Sequence, residues 1–378
     1  MSPNPIGKLP AFELSLHQKH QAALLHYWTS QGYLEGLLAL INALMKGADI
    51  NLELAKIQGR DDLIANPQWG VRDTAANWGS MAWPTLQEFM ASTIWHVAQQ
   101  PKHVLGKTGL TQCDRMLGEL SPYWMTPDEK DWFDSQWKLI EAYAYRHDQA
   151  VGVGTDRPLR DKEMALEWRK LAAQFPRLPK FKVHTDRQFS SGEMPARTGV
   201  YVPVDDPHGV LQFAWTGSEE GALGDCNTLS QIGQTILSRV GRQRMWVDGR
   251  AMATVVGPMY DSGELTERSS SVYEPGDEHD PEFVNGVISR ACFIERPCKW
   301  YFVEKLEGQF DEPAPEPAEA TIQPTEKLRC EAGQPCPIEG YWFTPSGSGR
   351  QHFKQGQIMP NLGSDFGQTI WQWAQDQS

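Results

Sequence analysis

Two pairs of cysteines share one spacing. Cys292 and Cys298 (CFIERPC) and Cys330 and Cys336 (CEAGQPC) each enclose five residues and end in Pro-Cys, and four thiolates can bind one tetrahedral zinc ion. Zinc pairs usually enclose about two to four residues, so the spacing favours reduced thiols in cores or turns, and no metal or other cofactor is expected. His184 with Asp186, and His208 with Asp206, have the two-residue spacing that puts side chains on one face of a strand, as an acid/base pair requires. Pro207 turns the second pair into a turn motif. Among 48 acidic residues a carboxylate beside a histidine arises easily by chance, so ordinary surface or turn histidines are the expectation. Gly106, Lys107 and Thr108 imitate the end of a phosphate-binding loop, but Pro101 stands where the upstream glycine belongs, removing flexibility and an amide donor. The chain has no His-Glu-x-x-His and no Gly-x-Ser-x-Gly, and residues 217–221 read GSEEG. A catalytic constellation is therefore absent from the sequence, and the protein is expected not to be an enzyme.

Charge is more informative. Lys and Arg number 35 against 48 Asp and Glu, a net charge of −13 that repels phosphate backbones and attracts basic partners, which argues against direct nucleic-acid binding. Between Asp261 and Glu282 stand eight carboxylates (Asp261, Glu264, Glu267, Glu274, Asp277, Glu278, Asp280, Glu282) against one base, Arg268. A solvated face is one reading. The other is an acidic platform for a basic protein surface, with Tyr273 as an aromatic anchor. The first twenty residues lack the basic-then-apolar order of a secretory signal, and the most apolar stretch, Leu34 to Met45, is too short for the roughly 20 residues of a membrane span. A soluble cytoplasmic protein with no membrane partner is expected, its six cysteines reduced.

The elements that must position these residues change character along the chain. Apolar residues recur at helical spacing from Leu14 to Met45, with an interruption around Gly32 and Gly36. Pro84 is expected in the first turn of a helix ending at Pro101, and Asp161 to Phe175 forms an amphipathic run. Thr126, Pro127 and Glu129 form a capping box with proline at the first helical position. Beyond Pro179, Lys180–His184, Gly199–Val204 and Val210–Trp215 read as hairpin strands, Asp225–Val240 as a return to helix, and Arg244–Val247, Ala251–Val256, Ala291–Glu295 and Trp300–Glu304 as strands. The expected class is α+β, with a helical domain over 1–178 and a mixed domain over 179–310. An acidic, Pro-rich linker over 311–326 and a small Trp-rich segment over 327–378, docking on the rest, complete it. The β-rich part also contains an echo that either two diverged copies of a small β unit or chance similarity of turn chemistry would explain. GEMPARTGVYVP (192–203) resembles GQPCPIEGYWFTP (333–345), and IGQTIL (232–237) resembles FGQTIW (366–371).

The segment from Cys330 to Trp373 resembles the tail of the immunity-protein 71 and 72 families, which accompany bacterial polymorphic toxins and type VI secretion effectors. The matching residues are Cys330, Cys336, Pro337, Gly340, Trp342, Pro345, Phe353, Gly356, Pro360, Gly367, Trp371 and Trp373. Where the family tail usually has adjacent basic residues, this chain has Arg350 followed by Gln351 and His352. The resemblance covers about the last eighth of the chain. It implies a cytoplasmic inhibitor that neutralises one cognate toxin by covering its active surface, a cytosol-acting nuclease being a natural target for an acidic inhibitor, and it supplies no catalytic residues. Two alternatives stand beside it: an enzyme built around His184 or His208, and an envelope or carbohydrate-binding module displaying its tryptophans.

Overall fold

A computed structural model describes residues 12–64, 74–152, 159–265, 291–311, 329–344, 350–361 and 369–373. The fold is α+β, helices first and antiparallel sheets after. Two compact units divide it, Met1–Glu312 and Pro313–Ser378.

Helix α1 (Leu16–Trp28) opens on a capping box between Ser15 and Gln18, and α2 (Gln31–Ile57) restarts two residues later under the Ser30 cap. The break therefore falls at Thr29–Ser30, not at the glycines. Gly47, farther along α2, instead lets a neighbour approach: a Cβ there would meet Trp132 Cη2 at 2.0 Å. Helix α3 (Ala75–Gln99) is capped by Thr74 and carries Pro84 in its interior. The expected start at Pro84 is thus corrected, because Trp78 and Ala82 already continue the buried stripe of Leu86 and Phe89. Next come α4 (Leu110–Gly118), α5 (Pro127–Ala150) with the expected Thr126–Glu129 capping box, and α6 (Asp161–Leu171). Leu37, Ile41 and Leu44 of α2 meet Leu86 and Phe89 of α3 and Ile140 of α5 in one core.

Strands β1 (Pro179–Ser190), β2 (Gly199–Pro203) and β3 (Gln212–Ala214) precede β4 (Cys226–Leu229), α7 (Gln231–Val240) and α8 (Gly249–Asp261). Strands β5 (Phe293–Arg296) and β6 (Lys299–Phe310) complete the unit. The main sheet has the order β1-β6-β2-β3, and β4 pairs with β5 separately. Leu24 and Trp28 of α1 and Met164 of α6 pack on Val200, Val202 and Val303 of this sheet, so residues on both sides of position 178 share a core. Two expected strands are helix or turn instead. Residues 244–247 form turns, and 251–256 lie in α8, where Asp248 accepts the Ala251 N–H at 2.9 Å and Met252, Val256 and Met259 follow helical spacing. A short apolar run fits either period, and the cap decided it. Residues 225–240, expected to be helical throughout, begin with β4.

The second unit contains β7 (Arg329–Glu331), β8 (Gly340–Phe343), β9 (Arg350–Phe353) and β10 (Ile370–Trp373), in the order β7-β10-β8-β9. This repeats the topology of the first sheet strand for strand. The register agrees as well: Phe189↔Trp300 and Tyr201↔Phe302 match Cys330↔Trp371 and Trp342↔Trp373. Gly192 (φ 84°) and Gly199 (φ 152°) match Gly333 (φ 88°) and Gly340 (φ 155°). Gly192 N–H donates to Leu223 O and Leu223 N–H to Glu193 O, just as Gly333 donates to Met359 and Met359 to Gln334. The second half of the sequence echo misleads, because Ile236 and Leu237 are helical whereas Ile370 and Trp371 lie in a strand whose positional counterpart is Lys299–Phe302. In the first copy β4, α7, α8 and β5 are inserted between its third and last strands.

Candidate functional site: a basic cleft on the first sheet

The pairing of β1 with β6 breaks beside His184. From His184 to Phe189 β1 advances five residues, while β6 advances two, from Phe302 to Trp300. The four intervening residues, Thr185 to Gln188, stand against Tyr301 alone on β6 and bulge into solvent. Bulges of this kind re-aim side chains, and here they open a cleft of about 190 Å³ lined by His184, Asp186, Arg187, Phe189, Ala196, Arg197, Tyr201 and Phe302. The Arg187 guanidinium lies 4.6 Å from the Phe189 ring centroid and that of Arg197 5.5 Å from the Phe302 centroid. A guanidinium over a ring face is attracted by the ring's quadrupole and keeps its N–H donors free.

His184 Nε2 lies 2.8 Å from Glu304 Oε2, and its Nδ1 3.8 Å from Asp186 Oδ1. Glu304 is therefore the partner that orients the ring, and the hydrogen bond from His184 holds its carboxyl below the usual range, helped by Lys182 and Arg197. Burial pushes the Tyr201 hydroxyl up to about 12 despite Arg197 and Arg187, and its O–H donates to Arg197 O at 2.7 Å. Tyr201 thus closes the bend. The lining offers two guanidiniums, whose fork geometry suits oxyanions, beside an imidazole already bonded to Glu304.

The other sequence candidates are placed differently. Asp206 accepts from His208 N–H at 2.9 Å and from Arg296 at 2.7 Å, so this pair is a turn with a salt bridge and not an acid/base couple. Lys107 O is 2.8 Å from His96 Nε2, and Asp148 accepts from Thr108 N–H and Oγ1–H at 2.7 and 3.0 Å, so the Gly106–Thr108 loop spends its polar groups internally. The six cysteines are free. Cys292 packs with Leu229 and Met252, Cys330 and Cys336 pack with Trp342 and Trp371, and Cys298 adjoins Cys226. Burial raises the Cys292 thiol to about 12. Among the described residues no group of three or more His, Cys, Asp or Glu could hold a metal ion. Trp28, Trp78, Trp124, Trp215, Trp246, Trp300, Trp342 and Trp371 are buried, while Trp95 is half exposed.

Of the predicted acidic platform, Asp261 and Glu264 are described. Both are exposed, and Glu264 meets Arg239 at 3.3 Å. Glu267, Tyr273, Glu274, Asp277, Glu278, Asp280 and Glu282 lie outside the described residues. A second exposed feature faces away from the helical core. Ile50, Leu54 and Ile57 of α2 are 61, 40 and 79% exposed at spacings of four and three, beside exposed Asp49 and Glu53.

Sequence reasoning reached His184 and Asp186 but missed Glu304, Arg187 and Arg197. Glu304 is 120 residues from His184 and is brought near by strand pairing, and isolated surface arginines carry no period. Among the described residues no helix is long and apolar enough to cross a membrane. No family model matches the chain, and no curated protein or solved structure matches it.

Proposed function

We propose that the chain is an immunity protein that neutralises a cognate antibacterial toxin, a type VI secretion effector, by binding over its working surface. The observation that carries this reading is the apolar row Ile50, Leu54 and Ile57 on the outer face of α2, flanked by exposed Lys46, Asp49, Glu53 and Lys56. Apolar anchors rimmed by charge are what a protein interface uses, and a chain of net charge −13 favours a basic partner such as a nuclease. The C-terminal resemblance supports the same reading. Cys330, Cys336, Trp342, Phe353 and Trp371 are core residues of the second unit, so the shared pattern describes a fold and leaves its surface free to vary between partners.

The test is co-expression in a bacterial host with the product of the adjoining upstream reading frame, expected to be toxic alone and harmless with this chain. Ile50→Asp/Ile57→Asp should leave circular dichroism unchanged and weaken the purified complex by about 2 kcal/mol or more, roughly thirty-fold. Unrelieved toxicity together with no complex overturns the proposal. Unchanged affinity after Asp261 to Glu282 are neutralised removes the acidic platform from it.

A further inference from the structure

We propose that the cleft at the β1 bulge is a binding site for the oxyanion group of a small organic ligand, a phosphate or a carboxylate, held by Arg187 and Arg197. Two observations carry this beyond a chance basic patch. The first is that both guanidiniums keep their donors: among the described residues neither Arg187 nor Arg197 forms a salt bridge, although Asp186 lines the cleft and Glu304 is near enough to feel the Arg197 charge. Each guanidinium is instead laid on a ring, Phe189 or Phe302, at the edge of the same cavity. Asp186 lines the cleft with its side chain 81% exposed, so water screens it as it screens the exposed arginines, while Glu304 is engaged with His184 Nε2. The two guanidiniums equal the two carboxylates in number, and they keep unpaired donors in planar forks suited to bidentate oxyanion contacts.

The second observation is the internal repeat. Tyr201 O–H donates to Arg197 O in the first copy, and Trp342 Nε1–H donates to Ile338 O in the second, which makes Ile338 the positional counterpart of Arg197. The same bend therefore forms without the arginine, so folding does not require its charge. At about 190 Å³ the cavity is smaller than the roughly 300 Å³ at which pockets for drug-sized ligands begin, so the occupant is a small anion or the anionic end of a larger molecule. This proposal is independent of toxin binding.

Calorimetric titration of the full chain with phenyl phosphate and with benzoate, at constant ionic strength, tests it. Saturable binding is expected. Tighter binding of phenyl phosphate assigns the natural group as a phosphate, and tighter binding of benzoate assigns it as a carboxylate. Arg197→Ile, which installs the side chain of the other copy, should weaken binding at least ten-fold, and Arg187→Gln/Arg197→Ile should abolish it with unchanged tryptophan emission. Arg197→Lys, which keeps the charge and removes the fork, should also weaken it and guards against misfolding of the first variant. Absence of saturable binding to both probes, or equal binding by folded single and double variants, overturns the proposal. A variant that loses anion binding while still neutralising a toxin separates the two functions.

Discussion

Asp161 is the sharpest test of how the first unit is held together. Its side chain is 1% exposed at the start of α6, where Oδ1 lies 2.5 Å from His17 Nε2, and Oδ2 accepts from Arg242 at 2.5 Å and from Trp246 Nε1–H at 2.9 Å. One carboxylate thus ties α1, α6 and the turn before α8. Burial alone pushes its pKa up, but the His17 hydrogen bond and charge, Arg242 and Trp246 outweigh it and leave the group at about 2 instead of 3.8. A carboxyl held low in the folded state adds stability that is complete above the unfolded value and is lost as pH falls through the folded one. At 1.36 kcal/mol per pK unit the contribution at pH 7 is about 2–3 kcal/mol, and roughly half of it survives at pH 3. Asp161→Asn keeps the shape and an acceptor for Trp246 but removes the charge facing Arg242, whose side chain is 29% exposed and can rehydrate. The variant should therefore lose about 2–3 kcal/mol at pH 7, a fall of roughly 1 M in urea midpoint for an m-value near 3 kcal/mol/M. The difference should shrink by about half at pH 3. Urea titrations followed by tryptophan emission read both quantities. A midpoint unchanged at pH 7, or a deficit equally large at both pH values, refutes the reasoning.

Asp148 should behave oppositely. Burial raises it to about 6 in spite of the two bonds from Thr108, so its ionised form is disfavoured, and stability falls as pH climbs from about 4 to 6. Asp148→Asn should lie within about 1 kcal/mol of wild type at pH 7 or above it, and should flatten that decline in a series of melts from pH 4 to 7. A loss above about 3 kcal/mol at pH 7 contradicts this. Gly199→Ala should cost about 1–3 kcal/mol, because φ is 152° and the new Cβ would meet Phe302 Cε2 at 2.8 Å. Gly118→Ala, with nothing within 4 Å, should be neutral or stabilising by up to about 1 kcal/mol. Equal melting temperatures for these two variants would show that the backbone at Gly199 is not constrained.

The helical half was legible because its boundaries are written locally. Thr126 with Glu129 is a cap made within four residues, and the structure uses it as expected. Pro84 misled because proline marks a helix start only when no amphipathic turn precedes it, and Trp78 and Ala82 supply one. Residues 251–256 misled because an all-apolar run has no readable period, whereas Asp248 just before it was the available signal. The cleft was half legible. His184 and Asp186 are close in sequence, but the bulge between His184 and Phe189, and the placing of Arg187 and Arg197 over rings, depend on strands that pair over more than a hundred residues.

Two copies of one topology in a single chain separate what the backbone demands from what it tolerates. Gly192 and Gly199 recur as Gly333 and Gly340 with nearly the same dihedral angles, in a region of φ that side chains avoid, so the turn itself fixes these residues. Tyr201 recurs as Trp342, a different ring with the same duty: each is buried, and each sends a donor to the carbonyl four residues earlier. Phe189 recurs as Cys330, a change of volume that each core absorbs with its own neighbours, Ala214 and Trp300 in one and Phe353 and Trp371 in the other. The exchange of Arg197 for Ile338 belongs to none of these kinds, since both side chains are exposed and neither closes the bend. The scaffold does without this charge in one copy; in the other it sits over a ring beside a cavity and near Glu304, where an oxyanion ligand would meet it.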